Sequence, residues 1–217
     1  EKYPGISPYS YCAGNPINFV DPDGCSWEPK YDNNGSITGY QWIPESSSYN
    51  SDGTLKSGLY EQAIYFSDNS TFDSKSKFNI GSSTAYVYLK DGQIQEFAAC
   101  TVPSDEKYAM VPAGQYEALV GTHNGSSSSY TALKMFDVGK NLKNNTIHLD
   151  HPNPAHPNLN YIQGADIHKA GLNNLTGMTR DGNAISKACF LIDRSRWDEF
   201  MTLFVPNVKI SIGLERK

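Results

Sequence analysis

The sequence predicts a mainly β fold with one helix near its C-terminal end. The first observation is a series of apolar, strand-like runs separated by polar or glycine-containing turns. The second is a pair of turn sequences typical of tight hairpins, Asn33-Asn34-Gly35 and Asp91-Gly92. We therefore expect an N-terminal hairpin within residues 25–45, followed by a sheet of consecutive strands. The strand-like runs are residues 61–68, 83–92, 93–102, 114–123, 130–138 and 145–151.

The clearest helical pattern begins after Ser195, with Asp198 three residues later as in a capping box. Four apolar residues then recur at the spacing of one helix face, which predicts packing against the sheet. Pro206 follows this pattern, and residues 208–215 have the character of a last strand. The apolar stripe consists of Trp197, Phe200, Met201 and Phe204.

Composition limits the classes of partner. The chain has 217 residues, of which 38% are hydrophobic and 19% charged, enough for one domain with an appended arm. Its net charge is −5 and it has no block of Lys and Arg, so we expect no nucleic-acid partner, because phosphate binding needs clustered cations. No stretch approaches the roughly 20 apolar residues of a spanning helix, so we expect no membrane insertion.

Cys12, Cys25, Cys100 and Cys189 lack the paired spacing of zinc or redox sites. Cys12 and Cys100 are predicted to be small buried residues, whereas a histidine and a serine accompany Cys189.

The sequence also offers a zinc site, formed by three histidines with Asp150 or His168, but it supports this site less than a site built around Cys189. The histidines fall in an irregular proline-rich loop and lack the helical spacing of zinc enzymes. We therefore expect no metal and no cofactor. Instead, we expect this loop to form a wall of the candidate site around Cys189. The three histidines are His148, His151 and His156.

The candidate site combines the thiol of Cys189, the imidazole of His168 and the hydroxyl of Ser186. A thiol needs a base within hydrogen-bond reach to become a good nucleophile, and His168 is the nearest candidate in sequence. A glycine-rich stretch between the two residues allows the chain to turn and return the cysteine beside the histidine. Asp166 would share a strand face with His168 and is a candidate to orient its imidazole, or else a surface carboxylate.

The segments "DIHKAG" (166–171), "AISKACFLI" (184–192) and "AMVPAGQYEALVGTH" (109–123) resemble the L,D-transpeptidase catalytic domain, including its toxin branch. The resemblance covers roughly residues 59–217 and implies a β-sandwich or barrel. It also implies a Cys189 nucleophile, a His168 base and backbone oxyanion donors around Ala188. Ala188 stands where the family has glycine, and Leu191 where many members have arginine or asparagine. These two residues keep open an inactive binding module of the same fold.

Residues 1–24, "EKYPGISPYSYCAGNPINFVDPDG", resemble the end of the core associated with Rhs/YD repeats, which precedes a variable C-terminal domain. This implies an Rhs-type shell upstream of residue 1. The predicted division is therefore a core tail at 1–24, a hairpin and polar linker at 25–58, and the catalytic domain at 59–217.

Together the two resemblances imply an acyl-transfer toxin. Its substrate would be a peptidoglycan stem peptide, and a cognate immunity protein would be its partner. They also imply a secreted or cell-surface location in a bacterium, with the targeting signal upstream. An adhesive or structural tail, weakly supported by the richness in Tyr, Asn and Ser, stays open as well.

Overall fold

A computed structural model describes residues 26–69, 71–73, 78–80, 83–103, 107–124, 129–171 and 186–217. The Rhs-like motif at 1–24 lies outside these residues, as do Cys12, Cys25 and most of the glycine-rich stretch between His168 and Cys189.

The fold is mainly β, as predicted, and its centre is a closed barrel of eight strands in the order β12-β13-β7-β6-β3-β14-β8-β9. Within the barrel, β12 runs parallel to β13 and β3 runs parallel to β14, whereas the other neighbours are antiparallel. The strands are β1 Ser26–Tyr31, β2 Ile37–Ile43, β3 Gln62–Asp68, β4 Thr71–Asp73, β5 Phe78–Ile80, β6 Ser83–Tyr88, β7 Ile94–Cys100, β8 Gly114–Asn124, β9 Ser129–Asp137, β10 Thr146–His148, β11 Tyr161–Gln163, β12 Asp166–Lys169, β13 Phe190–Ile192 and β14 Ile210–Arg216. The helices are α1 Glu45–Ser48 and α2 Trp197–Thr202, and short 3-10 turns occur at Leu142–Asn144 and Arg194–Arg196.

The barrel interior is filled by alternate residues of its strands. Phe66 of β3 and Phe190 of β13 are fully buried, and their rings meet edge to face with centroids 4.9 Å apart. An aromatic pair in this arrangement adds stabilisation beyond the apolar area that it buries. The predicted Asp91-Gly92 turn joins β6 and β7, and Gly92 has a φ of 82°, which favours glycine.

Helix α2 covers part of this core, as its apolar stripe predicts. Trp197, Phe200 and Phe204 are buried, and the Phe200 ring lies 5.2 Å from that of Phe97 in β7. The capping differs from the prediction, because Asp193 caps the 3-10 turn before α2 by accepting hydrogen bonds from the backbone N–H and hydroxyl of Ser195, and α2 itself begins after Arg196 without a side-chain cap. Among the described residues, no helix has the length and apolarity needed to cross a bilayer.

The N-terminal hairpin of β1 and β2 forms as predicted, with Gly35 at positive φ in its turn. Its apolar residues pack against the outside of β3, where Trp27 and Tyr40 are buried in a second cluster. The Trp27 indole donates to the Leu89 carbonyl at 3.0 Å, and the Tyr40 hydroxyl donates to Ser211 Oγ at 2.8 Å. The hairpin is therefore held to the barrel by side-chain hydrogen bonds as well as by apolar contact.

The segment 46–58, predicted as a polar linker, contains the end of α1 and a bridge between Tyr49 and Leu55. Ser48 is fully buried, and its hydroxyl accepts a hydrogen bond from Ser26 Oγ at 2.7 Å. The segment is thus packed against the hairpin. The division of the chain after residue 58 stays a prediction, because packing does not show whether the barrel folds without the hairpin.

Candidate active site

The strands that carry His168 and Cys189 are parallel neighbours in the barrel. Ile167 of β12 pairs with Phe190 of β13, and both side chains point into the core. Since side chains alternate along a strand, Asp166 and His168 occupy the opposite face of the sheet. Cys189 immediately precedes Phe190, and the backbone N–H of Asp166 faces its sulfur. The structure therefore brings the two predicted residues to neighbouring segments of the sheet, with Cys189 two positions out of register with His168, which pairs with Leu191.

His168 is buried and neutral at pH 7. Only 1% of its surface is exposed, and this burial, reinforced by the nearby His123, lowers its pKa to about 4. Its Nδ1 lies 3.0 Å from the carbonyl oxygen of Lys169 and 3.3 Å from the hydroxyl of Tyr130. A carbonyl only accepts, so Nδ1 carries the proton and Nε2 has a free lone pair. Nε2 is buried, without a hydrogen-bond partner among the described residues. This is the protonation state of a general base.

Cys189 is half-buried in the wall of a cavity and holds a neutral thiol. Burial raises its pKa to about 12, and the carboxylate of Asp166 adds to the increase. Its Sγ lies 3.8 Å from the carbonyl oxygen of Gly164, a weak hydrogen bond in which the thiol donates. Within the described part of the chain, no hydrogen bond joins Sγ to His168. The resting pair is therefore two neutral groups rather than a thiolate and an imidazolium.

Asp166 lies on the predicted strand face, but its carboxylate binds groups other than His168. It is 2% exposed, and its oxygens lie 2.7 Å from His123 Nδ1 and 2.7 and 2.9 Å from Lys134 Nζ. The Asp166 carboxylate thus fixes His123. The contact to His168 is indirect, because the rings of His123 and His168 stack with centroids 4.4 Å apart.

Three members of this polar cluster were not among the predicted site residues: His123, Tyr130 and Lys134. His123 is the penultimate residue of β8 and pairs with Tyr130 of β9, whereas Lys134 pairs with Asp166 across β9 and β12. These residues come together only when the barrel closes. No local pattern around His123 indicates its contact with Asp166, because β12 is far away in the sequence.

Ser186 supports the backbone around the cysteine. It is fully buried, and its hydroxyl donates to the carbonyl oxygen of Cys189 at 2.7 Å. A hydroxyl in this position could either stabilise a turn or orient the imidazole of His168. The bond to the Cys189 carbonyl fits the first role better. Ala188 is 6% exposed and packs in the main core, so its small side chain joins the cavity wall to the barrel interior.

A cavity of about 810 Å³ opens beside Cys189. This volume lies within the range of small-molecule and peptide-fragment sites. Asn153 and His156 of the proline-rich loop line one side of it, which confirms that this loop walls the site. Tyr108, Lys187 and Ala188 line the side that carries the thiol.

The histidines of the proline-rich region have separate partners. His148 Nδ1 pairs with the carboxylate of Asp137, and His151 Nδ1 lies 3.0 Å from the carbonyl oxygen of Pro152. In the described ranges, no three His, Cys, Asp or Glu side chains are grouped as ligands for one metal ion.

Cys189 is expected to alkylate with iodoacetamide while Cys100 does not. Cys100 is fully buried, whereas Cys189 reaches the cavity. Because the pKa of Cys189 is about 12, its rate should be slow at pH 7 and rise about tenfold per pH unit up to pH 10. Peptide mapping by mass spectrometry at several pH values separates the cysteines. A rate for Cys189 that is already at its plateau near pH 7 would contradict the neutral thiol.

The described residues thus place a thiol in the wall of a ligand-sized cavity and a buried, neutral imidazole on the neighbouring strand. These features do not by themselves identify the family to which the chain belongs. No protein-family model matches this chain, and neither does any curated protein or solved structure.

Proposed function

We propose that this protein is a cysteine acyl-transfer enzyme of the L,D-transpeptidase type, acting on peptidoglycan stem peptides. The observation that carries the proposal is the pairing of β12 with β13, because Cys189 directly precedes β13 and the neighbouring strand β12 carries the buried, neutral imidazole of His168 with a free Nε2. The cavity next to Cys189 supplies room for an acyl donor. The resemblance of residues 109–123, 166–171 and 184–192 to that family supports the choice of substrate.

In the proposed reaction, Cys189 Sγ attacks the carbonyl carbon of the stem peptide while its proton passes to His168 Nε2. Backbone N–H groups at Ala188 and Cys189 donate to the oxyanion that forms. When the C–N bond breaks, Nε2 returns the proton to the departing D-amino acid, and a thioester remains. An amine or water then attacks the thioester, and its proton returns to the sulfur through Nε2.

The pKa directions decide the timing of proton transfer. A pKa of about 12 for Cys189 and of about 4 for His168 strongly disfavours a resting ion pair. Proton transfer therefore accompanies formation of the C–S bond, when the developing oxyanion is stabilised by hydrogen bonds. The hydrogen bond from Nδ1 to the carbonyl of Lys169 favours the imidazolium that forms at this stage.

The biological setting that we propose is a toxin at the tip of an Rhs-type protein. This rests on residues 1–24, whose sequence resembles the end of the Rhs-associated core. The enzyme would be delivered to the cell wall of a competing bacterium, and a cognate immunity protein would block it in the producing cell.

A binding module with the same fold and no catalysis is the second candidate. The specific observation in its favour is that Cys189 Sγ is directed to the Gly164 carbonyl and makes no hydrogen bond to His168 among the described residues. Ala188 and Leu191, which replace typical family residues, point the same way.

Purified protein is expected to remove or exchange the terminal residue of peptidoglycan fragments that end in a D-amino acid. Cys189→Ala and His168→Ala should each lower the rate by about 10³-fold or more, because nucleophile and base act as one unit. Ser186→Ala should keep part of the activity, since its hydroxyl donates to the Cys189 carbonyl and supports the backbone there. Mass spectrometry of the fragments gives the readout.

The matched control is Cys100→Ser, which alters a buried thiol that is not part of the described cavity lining. Circular dichroism verifies that each variant is folded. Absence of turnover by the wild-type protein, together with measurable binding of the fragments, would favour the binding module.

A further inference from the structure

The one charged side chain in the described lining of the cavity beside Cys189 is a cation, Lys187. This lining also contains the imidazole of His156, but no carboxylate. This contrasts with the whole chain, which has 23 acidic against 18 basic residues. The carboxylate of Asp166, which acts on the Cys189 thiol but is not part of the described lining, is bound by Lys134 and His123. The cavity is therefore an electropositive pocket in an acidic protein, which favours an anionic ligand group.

Lys187 is the cation best placed to meet the reacting part of a substrate. It precedes Cys189 by two residues, so about 7 Å at most separates their Cα atoms. Its Nζ lies 5.8 Å from the ring centroid of Tyr108, another residue of the cavity wall. This cation–π contact keeps the side chain at the cavity while its charge stays available to a ligand.

On the basis of the proposed acyl transfer, we propose that Lys187 recognises the free C-terminal carboxylate of the acyl donor. In such a donor, the C-terminal carboxylate belongs to the residue directly after the bond that breaks. The distance from that bond to the carboxylate is of the same scale as the distance between Cys189 and Lys187. An ammonium group binds a carboxylate through a charge-assisted hydrogen bond, which is stronger than a neutral one. The substrate is then a peptide with a free C-terminus, and the enzyme removes or exchanges its last residue.

The test measures equilibrium binding to the Cys189→Ala protein, which cannot turn the substrate over. The ligands are one stem peptide ending in a D-amino acid, as the free acid and as its C-terminal amide. The free acid should bind about 10- to 100-fold more tightly than the amide. Adding Lys187→Gln should reduce binding of the acid to the level of the amide and leave binding of the amide unchanged.

Lys107→Gln is the matched control. The Lys107 ammonium also lies over the Tyr108 ring, at 5.2 Å from its centroid, but Lys107 is not part of the described cavity lining. This variant should keep the preference for the free acid, because removing a second charge over the same ring leaves the cavity cation in place.

Three results would overturn the inference: no preference for the acid, a preference that survives Lys187→Gln, or no binding of either peptide. A parallel turnover assay with Cys189 intact separates this failure from failure of the proposed function. Turnover without a carboxylate preference rejects the role of Lys187 alone. A carboxylate preference that depends on Lys187, without turnover, supports recognition and rejects catalysis.

Discussion

Arg216→Ala is expected to destabilise the folded protein by about 3–5 kcal/mol at neutral pH. The guanidinium of Arg216 pairs with the carboxylate of Asp68, which is only 3% exposed. It also donates to the carbonyl oxygen of Val111 at 2.6 and 3.0 Å and to that of Thr101 at 3.2 Å. Removing it leaves a buried negative charge and two carbonyl groups without this donor.

The position of this ion pair in the barrel explains the size of the effect. Arg216 ends β14 and Asp68 ends the neighbouring parallel strand β3, so the pair fixes the ends of both strands. The Ser83 hydroxyl at the start of β6 donates to the same carboxylate at 2.8 Å. Burial lowers the pKa of Arg216 from its usual value, but the carboxylate of Asp68 opposes this shift and keeps the guanidinium charged.

Urea denaturation at pH 7 measures the loss, and Arg196→Ala is the matched control. The Arg196 side chain is 42% exposed, pairs with Glu199 and donates to the Glu96 carbonyl, so its loss should lower the stability far less than the loss expected for Arg216. The double variant Arg216→Ala with Asp68→Ala should lose less stability than the two single variants lose together, because it removes both charges of the buried pair. A loss below about 1 kcal/mol for Arg216→Ala would contradict the structural role of the pair.

Local sequence patterns suffice for much of the barrel. The runs 83–92 and 93–102 alternate in the manner of half-buried strands around an Asp-Gly turn, and they form β6 and β7. The helical spacing of Trp197, Phe200 and Phe204 likewise predicts that these residues are buried, as they are. The short strands β12 and β13 are different, because three or four residues cannot show a periodicity. Their parallel pairing arises from contacts between distant segments.

The same distinction applies to the site. The neighbouring positions of His168 and Cys189 in the sheet can be predicted from the turn-forming stretch between them, whereas their catalytic role stays a prediction. The cluster of His123, Lys134 and Asp166 cannot, because three strands must pair in register before these side chains meet. The carboxylate of Asp166 therefore has a different partner from the one that its sequence neighbourhood suggests.

Because of His168, the free energy of unfolding is expected to fall by about 3 kcal/mol as the pH decreases from 7 to 4. The pKa of His168 is about 4 in the folded protein, against 6.5 for an unperturbed histidine. Burial is the main cause, and the nearby His123 and Lys134 oppose protonation further, whereas the Lys169 carbonyl and Asp166 partly favour it. Between these two pH values the unfolded chain binds a proton that the folded protein does not bind.

The sign of the effect follows from this proton. Stability is fully retained above about pH 6.5, falls as the pH decreases toward 4, and stops changing through this group below pH 4. Other titrating groups add to the acid dependence, so the contribution of His168 is a difference between proteins. His168→Gln removes the ionisable group, and its unfolding free energy should decrease by about 3 kcal/mol less than that of the wild type between pH 7 and pH 4.

Guanidinium chloride titrations at the two pH values, on both proteins, give this difference without reference to activity. His151→Gln is the matched control, since the His151 side chain is exposed and its variant should keep the acid dependence of the wild type. The same group controls catalysis, because only a neutral His168 accepts the thiol proton; activity should therefore persist down to about pH 4 wherever the fold survives. An acid dependence that is the same with and without His168 would mean that this imidazole is protonated or solvated in the folded protein, and it would remove the neutral base on which the proposed acyl transfer depends.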